Sequence, residues 1–182
     1  MQTIKPSVMA APGIYETVLT LLPVVKKKKT IILDAGAGSG ALSYLLKSKG
    51  FEVTACDINP LLFQVDNVSC KKADLNEKIP FKNSMFDYVI SLETLEHLED
   101  PWHFLREAHR VLKPKGIVIV STPNVTHISS RFFYLFFLGR MMRYQVHKYE
   151  IHLYPKMSAG HQTRIPRPKH CHFVEQTLAK IV

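Results

Sequence analysis

Hydrophobic and polar positions along the first two-thirds of the chain follow two different periods. Short apolar runs rich in β-branched residues predict buried strands, and apolar residues spaced three or four apart predict helices with one buried face. The elements predicted in chain order are a helix over 12–22, a strand over 30–33, a helix over 41–49, strands over 51–55, 68–71 and 86–92, a helix from 101 to 112 and a strand over 117–120. Strands that alternate with helices predict a doubly wound α/β fold.

Residues at the ends of these elements agree with the pattern. Asp100 and Pro101 supply a cap and a first-turn proline for the last helix, and Gly50 closes the helix over 41–49. Residues 113–116 form the turn before the strand over 117–120. The alternating charges of this last helix predict a solvated face with pairs at i, i+3 and i, i+4, carried by Arg106, Glu107, His109 and Arg110.

Composition and length are those of an ordinary globular protein. The 182 residues are 46% apolar and 21% charged, which excludes collagen, coiled coil and general disorder. We expect one domain over 1–182, with a core over 12–125 and a tail over 126–182. No apolar run approaches the about 18 residues of a membrane span, and the N-terminus lacks a signal-peptide pattern. With three widely spaced cysteines, this predicts a cytoplasmic protein.

The tail differs from the core in charge and in regularity. Residues 1–124 carry 15 Lys and Arg against 13 Asp and Glu, whereas residues 125–182 carry 9 against 2. Residues 128–144 predict a helix, within which 131–143 are both aromatic and basic. This segment could cover an active site as a lid, contact an anionic membrane peripherally, or pack on the sheet as a core helix.

A glycine cluster joins the first strand to the next helix. Gly36, Gly38 and Gly40 stand there in a chain with only eight glycines. Glycines let a backbone turn sharply and approach a ligand without Cβ clashes, and open α/β sheets bind ligands at this edge. The alternative is a strand–helix turn that merely needs glycine.

Acidic residues end three successive strands. Asp57 is placed to accept hydrogen bonds from ribose hydroxyls, and Asp74 could meet a nucleobase, although either could instead cap a turn. The second and third glycines are two apart, not three as in the dinucleotide fingerprint. Asp34 precedes the loop and would repel a pyrophosphate but attract a cationic ligand. These features favour S-adenosylmethionine over NAD.

Five segments together resemble the motifs of class I S-adenosylmethionine-dependent methyltransferases. They are 33–40 (motif I), 53–57, 73–75, 86–91 and 106–116. The resemblance covers roughly 12–125, and the nearest grouping is that of the type 11 and ubiquinone-biosynthesis-like small-molecule methyltransferases. One departure is Lys115, where the family often has a second glycine.

The resemblance implies a Rossmann-like, doubly wound, mostly parallel sheet with helices on both faces. The family normally adds an antiparallel strand pair, but residues 145–182 show no convincing one, which predicts a five-stranded parallel core with the C-terminal strand pair missing. The cofactor-binding residues implied by the resemblance are Asp34, Gly36, Ala37, Gly38, Gly40, Asp57, Ile58, Asp74, Leu75, Ser91 and Leu92.

Residues after the fourth strand carry the candidate acceptor chemistry. If Glu93, Glu96 and His97 are helical, they share one face and could hold a divalent metal such as Mg²⁺. The pattern resembles the metal site of ubiquinone-type O-methyltransferases and of small-RNA 2′-O-methyltransferases, for which His161 is the further candidate ligand. Alternatively, His97 acts as a metal-free general base beside Glu93, or all three are structural.

Three functions therefore remain open. The first is methyl transfer from S-adenosylmethionine to an oxygen or carbon atom of a small molecule. The second is methylation of RNA, with the basic C-terminal segment binding phosphates. The third is a catalytically inactive relic that only binds the cofactor. The sequence does not fix the oligomeric state.

Overall fold

The computed structural model of the chain describes residues 6, 13–23, 30–123 and 149–155. Its elements are α1 Ile14–Leu21, β1 Ile31–Ala35, α2 Ala41–Ser48, β2 Glu52–Asp57, β3 Ser69–Lys72, β4 Phe86–Leu92, α3 Pro101–Val111, β5 Leu112–Pro123 and β6 Tyr149–Pro155. Two 3-10 turns, Pro60–Leu62 and Leu95–His97, lie between them.

The strands form one sheet in the order β3-β2-β1-β4-β5-β6. Strands β1 to β5 pair in parallel, with Ile32 of β1 opposite Val53 of β2 and Tyr88 of β4. The order reverses between β1 and β4, and open α/β sheets bind ligands in the crevice at such a switch point. The predicted doubly wound α/β fold is confirmed.

Apolar side chains on successive strand positions point to opposite faces of the sheet. Ile32 of β1 packs in one buried cluster, while Leu33 packs in the other. The first cluster includes residues of α1 and α2, and the second includes residues of α3. Strands buried on both faces explain the continuous apolar runs in the sequence.

The predicted boundaries of α3 are confirmed at its start. The Asp100 carboxylate accepts a hydrogen bond from the His103 backbone N–H at 3.0 Å, and Pro101 is the first helical residue. Strand β5 begins earlier than predicted, because Leu112 already pairs with Phe86 before the register shifts. Lys115 within this irregularity has φ +66, the left-handed conformation that favours glycine.

An antiparallel strand occupies part of the region predicted to lack one. Strand β6 pairs with β5 from Ile117↔Pro155 to Pro123↔Tyr149, so the predicted five-stranded parallel core carries a sixth, antiparallel strand. Ile151 is buried and joins the core cluster of α1 and α2. The predicted helix over 128–144, with its lid or membrane segment over 131–143, lies outside the described residues.

The predicted i, i+3 pairing on α3 is confirmed for Glu107 and Arg110, but the prediction that these two side chains are solvated is wrong. Their side chains are 12% and 20% exposed and form an ion pair at 2.6 Å. Arg110 also donates to the carbonyl oxygens of Ile79 (3.0 Å) and Phe81 (2.7 Å). The Glu107 carboxylate accepts from the Ile79 N–H at 3.0 Å. Helix α3 thus anchors the segment that leads into β4.

Within the ranges that the structure describes, no helix is long and apolar enough to cross a membrane.

Candidate active site

The glycine loop lies at the carboxyl end of β1, next to the switch point of the sheet. Its three glycines have positive φ angles of 77°, 52° and 90°. The N–H groups of Gly36 and Ala37 both donate to the Cys56 carbonyl, at 2.9 and 3.2 Å, and the Gly40 N–H donates to the Ala37 carbonyl at 2.8 Å. The loop is therefore folded tightly against the end of β2.

Asp57 ends β2 and supports the glycine loop directly. One oxygen of its half-buried carboxylate accepts the Gly38 N–H at 2.8 Å, and the other accepts the Asn59 N–H at 2.8 Å. An ionised carboxylate has about four acceptor positions, so each oxygen can accept a further hydrogen bond. The next side chain, Ile58, is 63% exposed and presents an apolar surface beside the carboxylate.

Asp34 lies near the end of β1 with only 3% of its surface exposed. Burial raises the pKa of its carboxyl group to about 6; the hydrogen bonds from Ser43 oppose this increase, and the nearby charge of Asp57 adds to it. The Ser43 hydroxyl of α2 donates to the Asp34 carboxylate at 2.6 Å. Sequence reasoning missed Ser43, because a serine in the first turn of a helix reads the same whether it faces solvent or a strand end.

Asp74 and Leu75, the two predicted cofactor-binding residues after β3, lie in different environments. The Asp74 carboxylate accepts from the backbone N–H of Asn76 at 2.9 Å and from its side-chain amide at 3.2 Å. Leu75, which the resemblance places beside the adenine, is buried in the core cluster under α3. Asp74 thus follows the carboxyl end of β3 with a half-buried side chain, whereas Leu75 contributes to the core.

Two serines lie at the carboxyl ends of β4 and β5. Ser91 is fully buried, and its hydroxyl has no hydrogen-bond partner within the described part of the chain. Ser121 is also buried, and its hydroxyl accepts the Glu93 N–H at 3.0 Å. This contact spans 28 residues of sequence and was not predicted.

The condition set for the candidate metal site, a helix through Glu93, Glu96 and His97, is not met. Strand β4 ends at Leu92, Glu93 has φ +50, and only Leu95–His97 form a short 3-10 turn. The i, i+3, i+4 face required for a helical cluster is therefore absent from this segment. Glu93 is half-buried, whereas Glu96 and His97 are exposed.

The described ranges contain no group of three or more His, Cys, Asp or Glu side chains that could hold a metal ion. His161, the further candidate ligand, lies outside those ranges. The metal site therefore remains a prediction from the sequence, and the helix on which it depended is not formed.

Thr94 connects the segment after β4 to the glycine loop. A Cβ added to Gly36 would lie 2.6 Å from the Thr94 hydroxyl oxygen, so the two segments are in close contact. The same hydroxyl donates to the Leu92 carbonyl at 3.0 Å, which fixes its rotamer. The structure therefore brings Thr94, and with it the start of the segment after β4, beside the loop at the switch point.

Residues 33–120 match the family model described as a methyltransferase domain. The ubiquinone biosynthesis O-methyltransferase of Rickettsia typhi is 36% identical over 107 residues, which cover 54% of this chain and 43% of the relative. The demethylmenaquinone methyltransferase of Tropheryma whipplei is 34% identical over 95 residues, covering 49% and 40%.

A similar fold is found in the crystal structure of an S-adenosylmethionine-dependent methyltransferase from Aquifex aeolicus. It has a TM-score of 0.53 and 27% identity, over 63% of this chain and 66% of that one. The chain spans less than half the length of the two curated relatives.

Proposed function

Because the chain belongs, through residues 33–120, to the class I S-adenosylmethionine-dependent methyltransferase family, we propose that it transfers a methyl group from S-adenosylmethionine to an oxygen or carbon atom of a small molecule. The observation that carries the proposal is the Asp57 carboxylate, which ends β2 and is bonded at 2.8 Å to the glycine loop. A carboxylate at this edge suits ribose hydroxyls.

The residues at the switch point fit this cofactor. The half-buried Asp57 carboxylate keeps acceptor positions for two hydroxyls, and the exposed Ile58 side chain offers an apolar face for a base. Asp34 supplies a buried anionic group on the β1 side, which favours a cationic ligand. The Ser91 hydroxyl is buried at the end of β4 and has no partner among the described residues, so it is an unpaired polar group next to the switch point.

The cofactor supplies an activated methyl group when it is bound. The contribution of the chain is to hold the acceptor in line with that group, and alignment of this kind is worth about 7–11 kcal/mol of a reaction barrier. The Thr94–Gly36 contact keeps the segment after β4 beside the glycine loop, where an acceptor would lie.

His97 is the proposed general base, and Glu93 is proposed to assist it. Imidazole is the side chain that most readily takes a proton near neutral pH. An oxygen or carbon acceptor must lose a proton, and His97 is exposed at the end of the 3-10 turn, where it can receive it. The names of the two relatives, which refer to ubiquinone and demethylmenaquinone, support an acceptor related to quinones.

Calorimetric titration with S-adenosylmethionine and S-adenosylhomocysteine tests the proposal. We expect micromolar binding, weakened about 10- to 100-fold in Asp57→Ala, because hydrogen bonds to a charged group contribute about 1.5–3 kcal/mol each. Asp66→Ala is the matched control, since this exposed carboxylate lies in the same β2–β3 connection.

Wild-type protein that is folded by circular dichroism yet binds neither compound would contradict the proposal. If the wild type and Asp57→Ala bound with equal affinity, Asp57 would not contribute to cofactor binding, and the proposal would lose the observation that carries it. Binding with these affinities justifies a screen of hydroxylated and quinone-like acceptors with a methyl-transfer assay.

A further inference from the structure

Asn76 lies between two loops at the carboxyl edge of the sheet. Its side-chain N–H donates to the Asp74 carboxylate at 3.2 Å, and its side-chain oxygen accepts the Glu99 N–H at 2.8 Å. The Asp100 N–H approaches the same oxygen at 3.5 Å. Only one orientation of the amide satisfies both neighbours, since the carboxylate must accept and the backbone N–H must donate.

The two loops belong to opposite sides of the candidate site. Asp74 follows β3, on the side of the sheet where Asp57 ends β2. Glu99 and Asp100 follow the 93–97 segment, and the Asp100 carboxylate caps α3 through the His103 N–H at 3.0 Å. The Asn76 side chain therefore joins Asp74 to the backbone of the residue that caps α3.

We propose that Asn76 is a positioning residue that links the nucleotide-binding loop at Asp74 to the start of α3, so that ligand binding at Asp74 restrains the segment 99–102. The inference rests on the proposed function, because it takes the cofactor to bind at this edge. It deepens that function, since Asn76 would fix the spacing between the cofactor and the segment 99–102, which follows the candidate acceptor residues. Asn76 itself need not touch the cofactor.

Trp102 makes this link measurable. It is the only tryptophan of the chain, lies in the first turn of α3 and is 50% exposed. A half-exposed indole is accessible to acrylamide, and the extent of quenching reports the accessibility and motion of the first turn. At saturating S-adenosylhomocysteine all binding-competent variants have the same occupancy, so the quenching constant separates coupling from affinity.

The experiment compares the wild-type chain with Asn76→Ala and Asn83→Ala. Asn83 is a matched control, because its side chain also links the segment before β4 to α3, through Arg110 at 2.9 Å, but it has no bond to Asp74. Calorimetry gives the Kd for S-adenosylhomocysteine, and acrylamide quenching of Trp102 is measured with and without saturating ligand.

We expect ligand to lower the quenching constant in the wild type and in Asn83→Ala. In Asn76→Ala the Kd should rise about five- to tenfold, the cost of one or two hydrogen bonds, and saturating ligand should leave the quenching constant unchanged. Asn76→Asp keeps an acceptor for the Glu99 N–H but places a second carboxylate beside Asp74. It should bind at least about tenfold more weakly and serves as the test if Asn76→Ala does not fold.

Three results would overturn the inference while leaving the proposed function intact. They are a wild type that binds without any change in quenching, an Asn76→Ala variant whose ligand-bound quenching constant falls as in the wild type, and an Asn76→Asp variant with wild-type affinity. A folded wild type that does not bind S-adenosylhomocysteine would instead reject the proposed function, and the inference with it.

Discussion

Burial of the Asp34 carboxylate predicts an unusual dependence of stability on pH. The pKa of this group rises from 3.8 to about 6 in the folded chain, mainly because burial disfavours the charged form. Below pH 3.8 the group is protonated in both the folded and the unfolded states, and it then costs no stability. As the pH rises toward 6 the unfolded state ionises first, so the free energy of unfolding falls.

The size of the effect follows from the shift. A shift of about two pKa units corresponds to about 3 kcal/mol, lost between pH about 4 and 6 with a maximal slope of about 1.2 kcal/mol per pH unit. Asp34→Asn removes the titration but keeps an oxygen that can accept the Ser43 hydroxyl. The difference in unfolding free energy, variant minus wild type, should therefore rise by about 3 kcal/mol across this range.

Urea denaturation at half-unit intervals from pH 4 to 7.5 measures this difference. Subtracting the two curves cancels groups that titrate in both proteins, such as Glu107, whose pKa is lowered chiefly by its hydrogen bond from Arg110. Asp66→Asn, the same substitution at an exposed site in the β2–β3 connection, is the control for the change of residue type. A flat difference for Asp34→Asn would refute the reasoning, since it would mean that burial does not perturb this carboxylate.

The same substitution tests the electrostatic role of Asp34 toward a ligand. If the cofactor brings positive charge near this carboxylate, wild-type affinity for S-adenosylmethionine should tighten as the pH rises through about 6. Asp34→Asn should remove that dependence. If the affinity of the variant depended on pH as that of the wild type does, Asp34 would have a role in the structure of the loop alone.

Two further substitutions test the packing around the site. Gly36→Ala places a Cβ 2.6 Å from the Thr94 hydroxyl oxygen, at a residue with φ +77. We therefore expect a loss of about 1–3 kcal/mol in stability by urea denaturation, and weaker binding of S-adenosylhomocysteine. Adding Thr94→Ala should recover the part of the loss due to the clash, and no recovery would argue against the clash. Arg110→Ala leaves the Glu107 carboxylate without its ion pair and should lower the free energy of unfolding by about 2–4 kcal/mol. Arg106→Ala, at an exposed ion pair, should change stability little. Equal losses in the two variants would contradict the distinction between the buried and the exposed pair.

The fold and the cofactor side of the site could be predicted because their signals are local. The runs over 30–33 and 86–92 are apolar enough to predict strands in any sheet, and glycines mark the connection after the first. Once the strands are parallel, their carboxyl ends meet at one edge, which places Asp34 and Asp57 together. No long-range contact had to be known for these predictions.

The acceptor side could not be predicted, because long-range contacts override its local pattern. Glu93 to His97 have helical spacing, but the Glu93 N–H bonds to Ser121, and Thr94 packs on Gly36. Propensity is a weak prior when tertiary contacts oppose it. Strand β6 was missed for a related reason, since its backbone partners lie on β5 and its own seven residues offer only a short alternation of apolar and polar positions.

The spacing of the glycines in the loop has a physical explanation in these contacts. A Cβ at Gly36 would clash with Thr94 after β4, and one at Gly40 would lie 2.6 and 2.7 Å from Val65 and Phe63 after β2. The loop is therefore held between the two connections that flank the switch point, with one glycine against each. The Gly38 N–H between them donates to Asp57. A glycine is thus needed at 36 because Thr94 lies close to it, and at 40 because Val65 and Phe63 lie close to it. Substitutions at the two positions should therefore perturb different halves of the site.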